Sequence, residues 1–184
     1  MKDKLAFKAR KEGYRARSAY KLIQINKKHD IIKENDKVLD IGCAPGSWMQ
    51  VVLNLNASVL GIDISEIKPL KNAKFILGDI LEDKILEKIK GKFDVIISDI
   101  SPKITGIKEI DKFKSSKLIG RVFEMTILHL KKNGNLVCKI FQSEDSNKIL
   151  RNMKKHFKLV KIFKPMASKK RSKEVYLIAK FYKG

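Results

Sequence analysis

Cysteine and histidine are scarce in this chain, and their scarcity removes several chemistries. The two cysteines, Cys43 and Cys138, both lie in apolar surroundings that read as core strands or strand ends. Such a pair makes neither a disulfide scaffold nor a thiolate metal site, so two free buried thiols are expected. The three histidines, His29, His129 and His156, stand apart without ligand-like spacing, and no metal is expected. No apolar run approaches the length of a membrane span, and the N-terminus is basic and polar rather than signal-like. An intracellular, cytoplasmic protein is the expectation. Internal repeats, low-complexity tracts and linker-like segments are also missing. The 184 residues therefore read as one domain, 1–184, whose first 17 residues form a basic arm. Acidic residues are few, 20 Asp and Glu against 41 Lys and Arg, for a net charge of +21. At 43% hydrophobic and 33% charged residues the chain is still globular in composition. The charge has two accounts: a lysine-rich solvated surface of the heat-adapted kind, or an electrostatic footprint for nucleic acid. An anionic membrane fits less well, because no segment reads as a basic amphipathic anchor.

In the arm, Lys2, Lys4, Lys8, Arg10, Lys11, Arg15 and Arg17 surround Phe7 and Tyr14. Basic residues interleaved with aromatics suit RNA, and equally describe an ordinary solvated arm. Ser18 is placed to cap a helix with Lys21 at its third position and Leu22, Ile23 and Ile25 on its buried face. Strands and helices then alternate. Strands are expected at 37–42, 57–62, 74–77, 93–98 and 135–141. Helices are expected at 46–55, 81–90, 112–131 and 144–155, with Asn133-Gly134 as a C-cap signal. Strands at 157–163 and 174–182 follow, joined by the basic loop 165–173. The alternation argues for a Rossmann-like α/β fold: a doubly wound, mostly parallel sheet with helices on both faces. The last two strands are joined without a helix, by a loop too short for a parallel crossover, so they should pair antiparallel.

The turn Asp40-Ile-Gly-Cys-Ala-Pro-Gly46 runs directly from strand to helix. Glycine lets backbone approach a ligand closely, and the helix start beyond it offers free N–H groups. Cys43 to Pro45 breaks the Gly-x-Gly-x-x-Gly spacing that seats a dinucleotide pyrophosphate. Asp63 ends the next strand, where a carboxylate accepts from ribose hydroxyls, and Asp79 follows the third, where it can bind an adenine amino group or orient a loop. Carboxylates in place of the third glycine favour a nucleoside with a small zwitterionic tail, a description that fits S-adenosylmethionine. Asp40 is expected to pin the turn's backbone. Trp48, the only tryptophan, either fills the core or walls the cofactor pocket, and its place beside Gly46 favours the wall.

Ligands of open α/β sheets bind at the carboxyl ends of the strands. Asp99 closes the fourth strand, Lys139 lies late in the fifth, and Glu174 opens an antiparallel strand at the same edge. Lys21 precedes the sheet on a helix able to cover that edge. A lysine in the apolar run Leu136–Phe141 is costly unless paired, so Lys139 is either half of a structural ion pair or a general base. Two lysines and two carboxylates beside one cofactor turn exceed what stability needs.

These motifs together resemble the FtsJ-type ribosomal RNA 2′-O-ribose methyltransferases almost end to end. The resemblance is carried by Ser18–Lys21, Asp40–Trp48, Asp63, Gly78-Asp79, Ser98–Pro102 with Thr105-Gly106, Val137–Phe141 and Arg171–Tyr176. Ser47 departs from it, since many members have a second glycine there. It implies the class I methyltransferase sheet of seven strands with an antiparallel last strand. It implies a catalytic tetrad of Lys21, Asp99, Lys139 and Glu174, with Lys139 taking the proton of the 2′-hydroxyl. S-adenosylmethionine would be bound by Gly46, Trp48, Asp63, Asp79 and Asp99. The implied substrate is a uridine in large-subunit ribosomal RNA, free or in the subunit; a monomer that needs no metal is the expectation. tRNA anticodon loops, mRNA caps and a catalytically silent RNA-binding assembly factor remain alternatives, and the charge and the turn disfavour a small-molecule methyltransferase and a nicotinamide enzyme.

Overall fold

A computed structural model describes residues 3–103, 105–141, 144–169 and 171–184. Two short helices, α1 (Lys4–Lys11) and α2 (Ala19–His29), precede the sheet. Asp3 caps α1 by accepting from the Ala6 N–H. The chain then runs β1 (Lys37–Ile41), α3 (Ser47–Asn54), β2 (Ser58–Asp63), β3 (Ala73–Leu77), α4 (Lys84–Lys88), β4 (Phe93–Ser98), α5 (Lys108–His129), β5 (Leu130–Phe141), α6 (Glu144–His156), β6 (Phe157–Phe163) and β7 (Glu174–Tyr182).

The seven strands form one sheet in the order β3-β2-β1-β4-β5-β7-β6. Pairing is parallel from β3 through β5, and β7 is antiparallel to both β5 and β6. The strand order reverses between β1 and β4, which opens a crevice at the carboxyl ends of the central strands. Alternation along the strands fills two cores. Leu39, Ile96, Cys138 and Leu177 face one side, with Ile119, Val122 and Met125 of α5 and Met153 of α6. Val38, Val95, Ile97, Val137, Tyr176 and Ile178 face the other, with Leu22 and Ile25 of α2 and Met49 and Val52 of α3. Period-2 alternation with both faces apolar is what helices on both faces of a sheet require. Cys43 and Cys138 are buried and unpaired.

Two local expectations give way. Asn133-Gly134 is no helix cap: α5 ends at His129 and the chain enters β5 at once. Phe93 pairs with Leu130 but Val95 with Asn135, so residues between them bulge out of the ladder. Asn133 has φ 65°, and a Cβ on Gly134 would lie 2.8 Å from the Asp94 carbonyl oxygen. The Asn-Gly signal therefore marks the tight return of the bulge. Ser18 precedes α2 without capping it, because its hydroxyl is turned to Ser47, 2.7 Å away.

Candidate active site

The turn after β1 is set by close approaches. Gly42 has φ +77°, and a Cβ there would fall 2.7 Å from the Ile100 Cβ. The Gly42 and Cys43 N–H groups both donate to the Ile62 carbonyl, tying the turn to β2. Gly46, φ +99°, stands at the start of α3. Asp63 holds the turn from the other side: one carboxylate oxygen accepts from the Ala44 N–H at 2.9 Å and the other from the Ser65 N–H at 2.8 Å. Asp79 likewise orients its own loop by accepting from the Leu81 N–H at 2.9 Å.

These loops border a cavity of about 850 Å³ at the carboxyl ends of β1 to β4. Gly42, Ala44, Asp63, Asp79 and Asp99 form its floor, and the first turns of α5 overhang it. Of the five residues expected to hold a cofactor, Asp63, Asp79 and Asp99 thus line the cavity, and Gly46 and Trp48 do not. Gly46 lies under the Arg15 guanidinium, where a Cβ would be 2.7 Å from Nη1. Trp48 is buried in the packing of α2 on α3: its indole N–H donates to the Ser18 carbonyl at 2.8 Å and its ring rests on Tyr176. The flanking apolar contacts draw it inward instead of leaving it at the cleft mouth.

Asp40 contradicts the expectation that it pins the turn. It is 1% exposed, and neither carboxyl oxygen has a hydrogen-bond partner among the described residues. Burial, and then the nearby Asp99 and Asp63 carboxylates, push this carboxyl well above the usual range.

The four residues of the tetrad meet. Asp99 follows Ser98, which is in register with Cys138, so Asp99 stands beside Lys139. Lys139 is in turn directly opposite Tyr176, and Phe141 opposite Glu174. Residues 99, 139, 174 and 176 share the alternation of Ile97, Val137 and Ile178, so they lie on the face that α2 covers, and α2 brings Lys21. The Lys139 Nζ donates to the Asp99 carbonyl at 2.6 Å and lies 3.2 Å from its carboxylate Oδ1. The Lys21 Nζ lies 2.5 Å from the Glu174 Oε1. Lys139 and Lys21 are buried to 8% and 12% side-chain exposure. Burial pushes the Glu174 carboxyl up, but Lys21, and more weakly Lys139, outweigh it and hold it below its ordinary value. Glu174 is therefore ionised near neutral pH.

Tyr176 is the member that sequence reasoning missed. Its hydroxyl donates to the Asp99 Oδ1 at 2.6 Å. Burial, then the Asp99 carboxylate, raises the phenol far above its ordinary value, so it remains a donor. Its sequence signal was its place two residues after Glu174, on the same strand face.

The arm is tied down more firmly than a solvated tail. The Arg15 guanidinium donates to the Pro45 and Pro69 carbonyls, and its backbone N–H to Gln50. Arg17 pairs with Asp3 and donates to the Ala167 carbonyl. Both arginines thus hold the arm against the turn and the 165–173 loop, leaving Lys4, Arg10 and Lys11 exposed. Lys2 of the arm and Lys170 of the loop lie outside the described residues. Among the described residues no cluster of His, Cys, Asp and Glu could hold a metal, and no helix is long and apolar enough to cross a membrane.

A family profile described as FtsJ-like methyltransferase matches residues 14–182. A ribosomal RNA large subunit methyltransferase E of Archaeoglobus fulgidus is 46% identical over all of this chain and 99% of its own length. The protein of the same name from Methanosphaera stadtmanae is 42% identical over 96% of this chain and 91% of its own. A crystal structure described as that of a ribosomal RNA methyltransferase from Plasmodium falciparum superposes with a TM-score of 0.82 at 32% identity, covering 93% of this chain and all of that one.

Proposed function

The chain belongs to the FtsJ-like methyltransferase family, and from that premise we propose that it uses S-adenosylmethionine to methylate a ribose 2′-hydroxyl of large-subunit ribosomal RNA. The observation that carries the proposal is the junction of Lys139 and Asp99 at the rim of the carboxylate-floored cavity. Relatives named for that RNA over nearly their full length supply the substrate.

The residues present suit the cofactor. The cavity falls within the size range of small-molecule sites. Its floor carries three carboxylates, which match a ribose diol and a cationic tail and would repel a diphosphate. Asp63 would take the ribose hydroxyls, since each of its oxygens keeps a lone pair beyond the backbone N–H it accepts. Asp79 would face the adenine edge. Gly46 contributes by shaping the turn, and Trp48 by fixing α2. When bound, S-adenosylmethionine supplies an electrophilic methyl and leaves as a neutral thioether.

Lys139 is the base. Its amine donates to the Asp99 carbonyl and pairs with the Asp99 carboxylate. In the neutral amine the lone pair would accept from the 2′-hydroxyl, which gives up its proton as its oxygen accepts the methyl. Tyr176 fixes the Asp99 carboxylate, and so the amine. Lys21 and Glu174 form a second fixed pair that orients the ribose. Positioning of this kind can supply much of a rate enhancement.

Methylation of large ribosomal subunits with labelled donor tests this reading. Lys139→Ala should cut methyl transfer by about 10²–10⁴-fold, the usual worth of a general base, while calorimetry finds cofactor binding intact. Transfer at a near-normal rate in that variant would remove Lys139 from the role.

A further inference from the structure

Helix α5 carries two stripes on different sides, one apolar and one that mixes apolar residues with lysine. Ile119, Val122 and Met125 point into the core beneath the sheet. Ile110, Phe113, Lys114 and Lys117, near the start of the helix, follow the i, i+3, i+4, i+7 spacing of a single stripe. At about 100° per residue that stripe is turned roughly a third of the circumference away from the core stripe. It faces the cavity, and Lys103 lines the same side. Phe113 is 70% exposed and Ile110 41%. Large apolar side chains in the wall of a functional cavity mark a contact still to be made. The start of the helix is also tied to the loop before it. The Asp111 carboxylate accepts from the Thr105 N–H and hydroxyl and from the Gly106 N–H, which locks the loop ahead of α5 to its first turn. Neither Thr105-Gly106 nor this stripe has a part in the tetrad or on the cavity's carboxylate floor.

We propose that Phe113 is a stacking platform for a base of single-stranded RNA flanking the reactive ribose, with Lys103, Lys114 and Lys117 on the adjoining phosphates; this rests on the reaction proposed above. An aromatic face accepts any base, and ammonium groups beside it suit the backbone that a stacked base carries with it. An acidic or neutral partner surface would leave the ring or the lysines without a counterpart. The carboxylate floor and the aromatic overhang thus divide one cavity into a cofactor half and a substrate half.

The test measures affinity, not turnover. Fluorescence anisotropy would follow a fluorescein-labelled single-stranded oligoribonucleotide, and calorimetry would follow S-adenosylhomocysteine, for the wild type, Phe113→Ala, Phe113→Trp and the double variant Lys114→Ala/Lys117→Ala. Phe113→Ala should weaken RNA binding by about 5- to 150-fold, the worth of one stacked base, with the cofactor product bound as before and Phe113→Trp restoring RNA affinity. The lysine variant should flatten the log–log salt dependence of RNA binding by about 1.4, two phosphates on a single strand. Unchanged RNA affinity in Phe113→Ala would overturn the platform and leave the stripe to a protein partner. Loss of S-adenosylhomocysteine binding would overturn it too, by making Phe113 a lid on the cofactor. Wild-type protein that transfers no methyl to ribosomal RNA yet loses oligonucleotide affinity in Phe113→Ala would sink the proposed reaction and support the platform.

Discussion

Near the end of β1 sits a carboxyl group whose oxygens have no hydrogen-bond partner among the described residues, and its protonation has a measurable consequence. Burial and the neighbouring Asp99 and Asp63 carboxylates raise Asp40 above its ordinary value of 3.8. Below that value folded and unfolded chains both hold the proton and pH has no effect through this group. Above it the unfolded chain releases the proton while the folded one retains it, so stability falls as pH rises, at about 1.4 kcal/mol per unit. The decline ends once pH passes the raised value of the folded state. Asparagine has no such proton. Thermal unfolding at about pH 4 and about pH 7 should therefore show Asp40→Asn gaining on the wild type at the higher pH. Parallel curves for the two proteins would mean that Asp40 is ionised when folded. The tetrad handles its buried charge in the opposite way. Lys139 and Lys21 each lie against a carboxylate, of Asp99 and of Glu174, a pairing that offsets the cost of burial.

The strand-to-helix turn depends on a glycine that no other residue replaces. Gly42 combines φ +77° with a Cβ position 2.7 Å from Ile100. Gly42→Ala should destabilise by about 2–4 kcal/mol, adding backbone strain to overpacking, seen as a lower urea midpoint at unchanged slope. Gly120, in the middle of α5, is the control: nothing lies within 4 Å of its Cβ position. Gly120→Ala should be neutral or stabilise by up to about 1 kcal/mol through helix propensity. Equal effects at the two glycines would show that the turn yields easily. The same turn is gripped from outside by Arg15 on the Pro45 carbonyl, which ties the arm to it.

At the scale of the whole molecule, +21 is more charge than the site itself uses. Several cations are committed internally: Arg15 to the Pro45 and Pro69 carbonyls, Arg17 to Asp3 and the Ala167 carbonyl, Arg121 to Asp83 and Glu124, Lys131 to Asp94. Much of the remaining basic surface is exposed lysine. RNA affinity should accordingly fall steeply with salt. Even three phosphate contacts on a single strand would cost more than about tenfold between 50 and 200 mM salt. Filter binding across that range is the measurement, and a flat response would mean that recognition does not pass through phosphates.

Periodicity and turn chemistry are local, and what they control was legible from the sequence alone. The bounds of β4, β6 and β7 came out as read, because apolar runs ended by Pro102, by a basic loop or by the C-terminus leave little choice. The seven-stranded, mostly parallel sheet and the antiparallel end follow from alternation and loop length. Lys21, Asp99, Lys139 and Glu174 were singled out by strand ends and by resemblance, and the structure brings the four side chains into two pairs. Other features depend on residues that meet only when the chain closes. Asn133-Gly134 resembles a helix cap until the pairing of β4 with β5 makes it a bulge. Trp48 stands near the turn in sequence but is drawn into the core by Ser18 and Tyr176. Asp40 is buried without a partner among the described residues, Arg15 is committed, and Tyr176 donates to Asp99, all through neighbours distant along the chain. Sequence determined which side chains were available and on which face of which strand. The tertiary structure decided which of them touch, because a contact such as Lys21 with Glu174 depends on how α2 seats on the finished sheet, and no local pattern carries that information.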